Sequence, residues 1–172
     1  MFEKIHASQV TETFLYDSTK RYGGAPAVPN SVRYLEDPTY GGQWYRCMLN
    51  ESTITLNGTT AGGKGIAGAA GTLWAGETIS GLSGTGTAAS RFAGVVPYNV
   101  SLLNGYWGWV HVRGETLLSI LTLSAVNATL ETAAAGNFDD TAATGLVIGY
   151  QTGATVGGAT AATRAYVNVG HI

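Results

Sequence analysis

Cysteine occurs once in the 172 residues, at Cys47, which excludes an intramolecular disulfide and any cluster of thiolate metal ligands. A lone cysteine in this setting reads as a small apolar residue inside a strand. Charge is also sparse. Only 12% of the residues are Asp, Glu, Lys or Arg, against about 25% in an average soluble domain. The nine basic residues are scattered, the formal net charge is −2 and the pI is near 5.8. Binding a polyanion needs clustered Lys and Arg that neutralise phosphates, so no direct nucleic-acid partner is expected. No apolar run approaches the length of a membrane span, and the opening MFEKIHASQVTETF is polar where a signal peptide would carry its apolar segment. We therefore expect no membrane association and synthesis in a cytoplasm.

What is abundant is small and β-favouring. Glycine alone contributes 25 residues, and alanine and threonine are over-used. The length suits one domain, or one domain with an appendage, and is enough to bury a real core. Residues 1–40 stand apart because short apolar clusters alternate there with charges, and Pro26 and Pro29 fix φ and remove backbone donors. They read as an extended N-terminal arm. Residues 41–172 read as a β domain, an antiparallel sandwich or barrel-like fold. Its short strands include QWYRCML, STITLNG, RFAGVV, GYWGWVHVRG, GLVIGY and AYVNV, separated by Gly, Asn and Thr. LLSILTL is ambiguous between helix and strand, and its flanking glycines favour strand. The segments 132–145 and 151–164 read as small-residue surface connections or hairpin tips.

LNGTTAGGKGIAG, residues 56–68, contains the glycine skeletons of two nucleotide-binding loops. Neither is completed. A dinucleotide fingerprint needs a helix to follow, and AAGTLWAGETISGLSGTG is too rich in Gly to sustain one. The phosphate-loop pattern needs Ser or Thr where Gly65 stands, so no hydroxyl is offered to a magnesium ion. The stretch reads as a flexible Gly/Ala loop.

Catalytic and metal-binding patterns are equally incomplete. His6, His111 and His171 form no HxH or HxxxH pair. Asp139 and Asp140 are adjacent in a Gly/Ala/Thr loop, where neighbouring carboxylates point apart. GLSGTG lacks the glycine that would complete a GxSxG nucleophile turn. We assign no catalytic, cofactor-binding or metal-ligating residue, and expect a non-enzyme. An enzyme acting on cell-wall sugars would have only Asp139, Asp140, Glu77 and His111 to draw upon.

Aromatic residues suggest a binding surface instead. Alternation in YWGWVHVRG puts Trp107, Trp109, His111 and Arg113 on one strand face, with Tyr106, Val110 and Val112 on the other. Trp and Tyr bury much area for little lost entropy, which suits interface hot spots. The arm points the same way, since ordering its backbone costs about 1–2 kcal/mol per residue and an isolated arm buries too little to offset that. The residues expected to meet a partner are Phe2, Ile5, Val10, Phe14, Leu15 and Tyr16 from the arm, with Trp44, Trp107, Trp109 and Arg113 from the β domain.

The order YGGQWYRCMLNESTITLNG, then RFAGVVPYNVSLLNGYWGWVHVRGE, then GLVIGYQTGATVGGATAATRAYVNV resembles small virion proteins of tailed bacteriophages that decorate, or cement, the capsid. The likeness covers roughly 41–172. It implies a structural protein on the outer face of an icosahedral shell, bound to the major capsid protein. It implies many copies and a homo-oligomer, with a trimer favoured, and no cofactor. The alternative expectation is a glycan- or receptor-binding module of a virion surface or fibre.

Overall fold

In the computed structural model of the chain, Tyr106–Ile120 forms a single strand of 15 residues around which the rest of the fold is arranged. The structure describes residues 3–58, 62–68, 78–84, 92–121, 125–140, 147–153 and 161–169. In chain order its strands are β1 (Glu3–Lys4), β2 (Phe14–Leu15), β3 (Val32–Asp37), β4 (Gly41–Asn50), β5 (Leu56–Asn57), β6 (Lys64–Gly68) and β7 (Thr78–Leu82). Then come β8 (Phe92–Val96), β9 (Ser101–Leu102), β10 (Tyr106–Ile120), β11 (Thr129–Thr132), β12 (Phe138–Asp139), β13 (Val147–Gln151) and β14 (Ala161–Asn168). One short helix, α1 (Ala7–Val10), accompanies them. The fold is all-β and barrel-like, as the alternating runs predict. Most pairings are antiparallel, but β1–β3, β4–β7 and β10–β12 are short parallel contacts.

Two closed circuits of hydrogen-bonded strands share β10. One runs β10–β4–β7–β6–β8 and back to β10; the other runs β10–β12–β11–β13–β14 and back to β10. The first half of β10 pairs with β4, Trp107 to His111 against Leu49 to Tyr45. Its second half pairs with β14, Arg113 to Ile120 against Asn168 to Ala161. The change of partner falls between His111 and Arg113, beside Gly114, whose φ of +111° is open to glycine and strained for other residues. A Cβ at Gly114 would also lie 2.4 Å from the Gly42 carbonyl oxygen. GYWGWVHVRG and the start of LLSILTL are thus one bent strand, because glycine lets the chain turn without leaving the ladder.

Alternation then sorts the side chains of β10. Val110, Val112, Leu118 and Ile120 join Met48, Ile66, Phe92, Val95, Leu130, Phe138 and Val167 in the main core. Trp107 and Trp109 point the other way and form a second cluster with Tyr45, Cys47 and Leu49.

That second cluster is roofed by the N-terminal segment. Ile5, Val10, Ala27 and Leu35 pack into it, β2 pairs with Tyr106 and Trp107, and β3 pairs with β4 over six residues. The expected boundary at residue 40 falls in the turn between two paired strands. Residues 3–40 are therefore not a free arm in this fold. The expectation counted what the segment loses on ordering, but not what it covers. Each large aromatic removed from water takes roughly 150–250 Å² with it, about 4–6 kcal/mol at ~25 cal/mol per Å². Covering two tryptophans offsets part of that cost, and the burial of Ile5, Val10, Ala27 and Leu35 with the strand pairings of β1, β2 and β3 adds to it.

The glycine-rich stretch is also corrected. Residues 64–68 are not a loop but β6, buried between β7 and β8, with Lys64 to Ala67 paired to Val96 to Phe92. Gly62 (φ +109°) and Gly63 sit where a Cβ would meet the backbone of Leu118, at 2.3 Å, and the Val95 side chain, at 2.8 Å. The glycines permit close packing of strands; they do not cradle a phosphate. STITLNG is strand only at Leu56–Asn57. Of the expected connections, Thr132, Phe138–Asp139, Gln151 and Ala161–Arg164 belong to strands. Residues 141–146 and 154–160 lie outside the described residues.

Candidate functional site

The residues expected to form one binding surface separate into two groups. Ile5 (2% exposed), Val10 (7%), Trp107 (3%) and Trp109 (3%) are buried against one another in the chain's own core. Phe14 is half-buried beside them. The Trp107 indole donates to the Gly23 carbonyl at 3.1 Å, which ties the strap to β10. These residues serve folding, and the expectation that they form a partner surface is corrected. Leu15 (60% exposed) and Tyr16 (48%) face solvent at the end of the strap. Phe2 lies outside the described residues.

Exposed Arg113 meets Trp44, which is half-buried and also packs against the main core, in company the sequence did not suggest. Tyr34 on β3 lies directly opposite Trp44 on β4, with ring centroids 5.1 Å apart. The Arg113 guanidinium of β10 lies 5.2 Å from the Trp44 ring centroid, and its Nε donates to the Tyr166 hydroxyl of β14 at 3.3 Å. Tyr166 stacks on Tyr150 of β13, at 5.4 Å and 16° between planes, in direct cross-strand register. Five strands therefore contribute one side chain each to a continuous band, Tyr34–Trp44–Arg113–Tyr166–Tyr150, that crosses both strand circuits on the outside. Each link contributes little to stability, about 0.5–1.5 kcal/mol for an aromatic pair and ~0.5–1 kcal/mol for an exposed cation–π contact. Together they present flat, pre-ordered rings with one positive charge in their midst.

The band borders an open groove of about 560 Å³ whose walls include Asn127, Thr129, Tyr150, Tyr166 and Asn168. It combines ring faces with neutral hydrogen-bonding groups. Beside it, Arg164 donates to Glu115 at 2.6 Å and to the Thr39 carbonyl at 3.1 Å, and stacks over Tyr40 at 5.2 Å. Tyr150 and Tyr166 had a signal in the sequence. In AYVNV, Tyr166 and Asn168 alternate with the buried Val167, which marks an outward face. Nothing in the sequence says that this face adjoins Trp44.

A second polar cluster is interior. Lys64 donates to Ser119 Oγ at 3.0 Å and to Asn137 Oδ1, and Ser119 also donates to Asn137 Oδ1, at 2.8 Å. Burial lowers the Lys64 pKa. A lysine against a serine is the minimum of a serine–lysine nucleophile. Here, however, Ser119 is fully buried inside β10, out of a substrate's reach. The ammonium instead links β6, β10 and the turn at 134–137.

Among the described residues no group of three His, Cys, Asp or Glu side chains is placed to hold a metal ion. His6 is exposed on the strap, whereas His111 is fully buried and, held there by burial, titrates near 4. His171 and Glu77 lie outside the described residues. Asp139 stands opposite Glu131 in the β11–β12 pair and, like Asp140, is half-buried. Cys47 is buried in β4, where burial pushes its thiol up to about 12. No helix among the described residues is long and apolar enough to cross a membrane.

Comparison of the chain with protein-family models, with curated proteins and with solved structures finds no match.

Proposed function

We propose that the chain is a structural virion protein that decorates and cements an icosahedral capsid, binding the outer face of the major capsid protein lattice as a homo-oligomer. The observation that carries this reading is the surface band from Tyr34 through Trp44, Arg113 and Tyr166 to Tyr150. Tyr, Trp and Arg are the residues that dominate binding energy at protein interfaces, and here they are ordered before a partner arrives. The likeness of residues 41–172 to capsid decoration proteins supports the same reading, as does a chain so poor in charge. Binding only the assembled lattice stabilises it by mass action, by about 2.7 kcal/mol per site at a hundredfold excess over Kd. Over many copies such increments sum.

The test is co-sedimentation of the purified protein with undecorated capsids, with Trp44→Ala and Arg113→Ala beside the parent chain. Retention by the parent and a loss of about tenfold or more in each variant are expected, as for interface anchors. A parent chain that stays in the supernatant refutes the reading.

A second reading, a glycan- or receptor-binding virion module, is favoured by the groove at Tyr150 and Tyr166 with the amides of Asn127 and Asn168. An oligosaccharide that quenches Trp44 emission, and ceases to do so in Tyr166→Ala, would favour it over the first.

A further inference from the structure

Beneath the N-terminal strap lies a cavity of about 160 Å³, well removed in chemistry from the surface band. Helix α1 contributes Ala7 and Val10, the β3–β4 hairpin contributes Asp37 and Tyr40, and β4 contributes Gln43 and Tyr45. Tyr98, just after β8, lines it as well. The volume falls below the roughly 300–1,000 Å³ of pockets that hold drug-sized ligands. Only a small molecule fits.

The lining has one formal charge. Among the described residues, Asp37 is the sole carboxylate in the lining, and no Lys, Arg or His belongs to it. Its Oδ1 accepts from the backbone amides of Thr39, at 2.7 Å, and Tyr40, at 2.9 Å, which fixes the carboxylate in a turn. The polar groups deeper in are also arranged. Tyr45 donates its hydroxyl to Gln43 Oε1 at 2.8 Å, and Gln43 Nε2 donates to the Glu115 carbonyl at 2.5 Å. The nearby Arg164 guanidinium stacks on Tyr40 but is ion-paired with Glu115 at 2.6 Å, so its charge is already matched. Burial, and after it the charge of Asp37, raises the Tyr45 pKa, so the phenol is neutral.

We infer that this cavity is a binding site for a small organic ammonium ion, held between the rings of Tyr40, Tyr45 and Tyr98 and the carboxylate of Asp37. An anion would face Asp37 with no cation to offset it. A neutral apolar molecule would leave the carboxylate unused. A quaternary ammonium group is weakly hydrated, is attracted to aromatic walls, here Tyr45, Tyr98 and the Tyr40 ring that Arg164 already covers on one side, and is compensated by one carboxylate. This inference does not depend on the capsid reading.

The experiment titrates the full chain with choline chloride at constant ionic strength, followed by amide chemical shifts. The comparison ligand is 3,3-dimethylbutan-1-ol, the neutral carbon isostere of choline. Saturable binding of choline is expected, with shifts confined to residues around the cavity and affinity about tenfold above that of the alcohol. Asp37→Asn keeps an Oδ1 to accept from Thr39 and Tyr40, so it removes the charge and retains the turn. It should lose about tenfold in choline affinity and none for the alcohol. Should Asp37→Asn unfold, the choline-to-alcohol ratio in the parent chain and the loss of choline binding in Tyr98→Ala still decide the matter. Equal affinities for the two ligands, or no choline binding, would overturn the inference.

Discussion

Lowering the pH from 7 to 4 is expected to remove about 3 kcal/mol of folding stability through the side chain of His111. This imidazole sits where β10 is flanked by β4 and β8, opposite Tyr45 on one side and Val95 on the other. It is fully buried, and the Tyr45 ring meets it edge to face at 5.1 Å. Its Nε2 lies 3.2 Å from the Gly114 carbonyl oxygen. A carbonyl only accepts, so Nε2 carries the proton in the neutral ring. Nδ1 has no partner, and a second proton there would be a buried charge with nothing to receive it. Burial therefore lowers the pKa from 6.5 to about 4, against a small opposing effect of the Gly114 bond. Above 6.5 neither the folded nor the unfolded chain is protonated at this site, and the contribution is fully present. Between 6.5 and 4 the unfolded chain takes up the proton and the folded chain does not. Stability then falls by about 1.4 kcal/mol per pH unit, about 3 kcal/mol in all. Urea unfolding at pH 7, 6, 5 and 4 measures it, with His111→Phe as the reference that cannot titrate. His111→Gln, which can still donate to Gly114, serves the same purpose. The variants start from lower stability at pH 7, because a buried carbonyl loses its donor or a cavity opens, but their profiles should be flatter over this window. The Asp17 carboxyl, lowered by its hydrogen bonds from Thr19, is common to all three proteins and cancels from the comparison. Parallel profiles for parent and variants would refute the argument.

Gly149→Ala would place a Cβ 1.7 Å from the Tyr166 carbonyl oxygen, so the β13–β14 pairing must break. A loss of about 4 kcal/mol or more is expected in thermal or urea unfolding, while Gly81→Ala, with nothing within 4 Å of its Cβ, should be near neutral. Deleting residues 1–16 uncovers Trp107 and Trp109, so tryptophan emission should shift to the red and the unfolding temperature should fall; an unchanged spectrum would show that the strap does not cover them. Cys47 should resist a thiol-specific reagent at pH 8 in native buffer and react fully in urea, and rapid native labelling would contradict its burial.

The β class was legible because alternation in YWGWVHV and AYVNV survives into the structure. Val110 and Val112 are buried on one side and Trp107 and Trp109 on the other. The misreadings share a cause. Trp107 and Trp109 were expected at a partner surface because broad aromatics on a strand face look like an exposed patch unless their cover is known. That cover, Ile5 and Val10, lies about a hundred positions earlier in the chain. GKGIAG looked like a loop because glycine is usually a turn residue, whereas here its missing side chain lets β6 approach β8 and β10. Of the surface band, only Trp44 and Arg113 were anticipated. Tyr34, Tyr150 and Tyr166 complete it through pairings β3–β4, β10–β14 and β13–β14 that no local pattern encodes.

By itself the sequence determined what local chemistry can settle: short strands, turns at Gly and Asn, little charge, and a cysteine with no partner. These depend on a residue and its neighbours within a few positions. The tertiary structure alone decided which strands close the two circuits, that the N-terminal segment roofs two tryptophans, and that five side chains from five strands align on one outer face. Those outcomes rest on contacts between residues tens to a hundred positions apart, where burial of apolar area selects the pairing and the chain between carries no record of it.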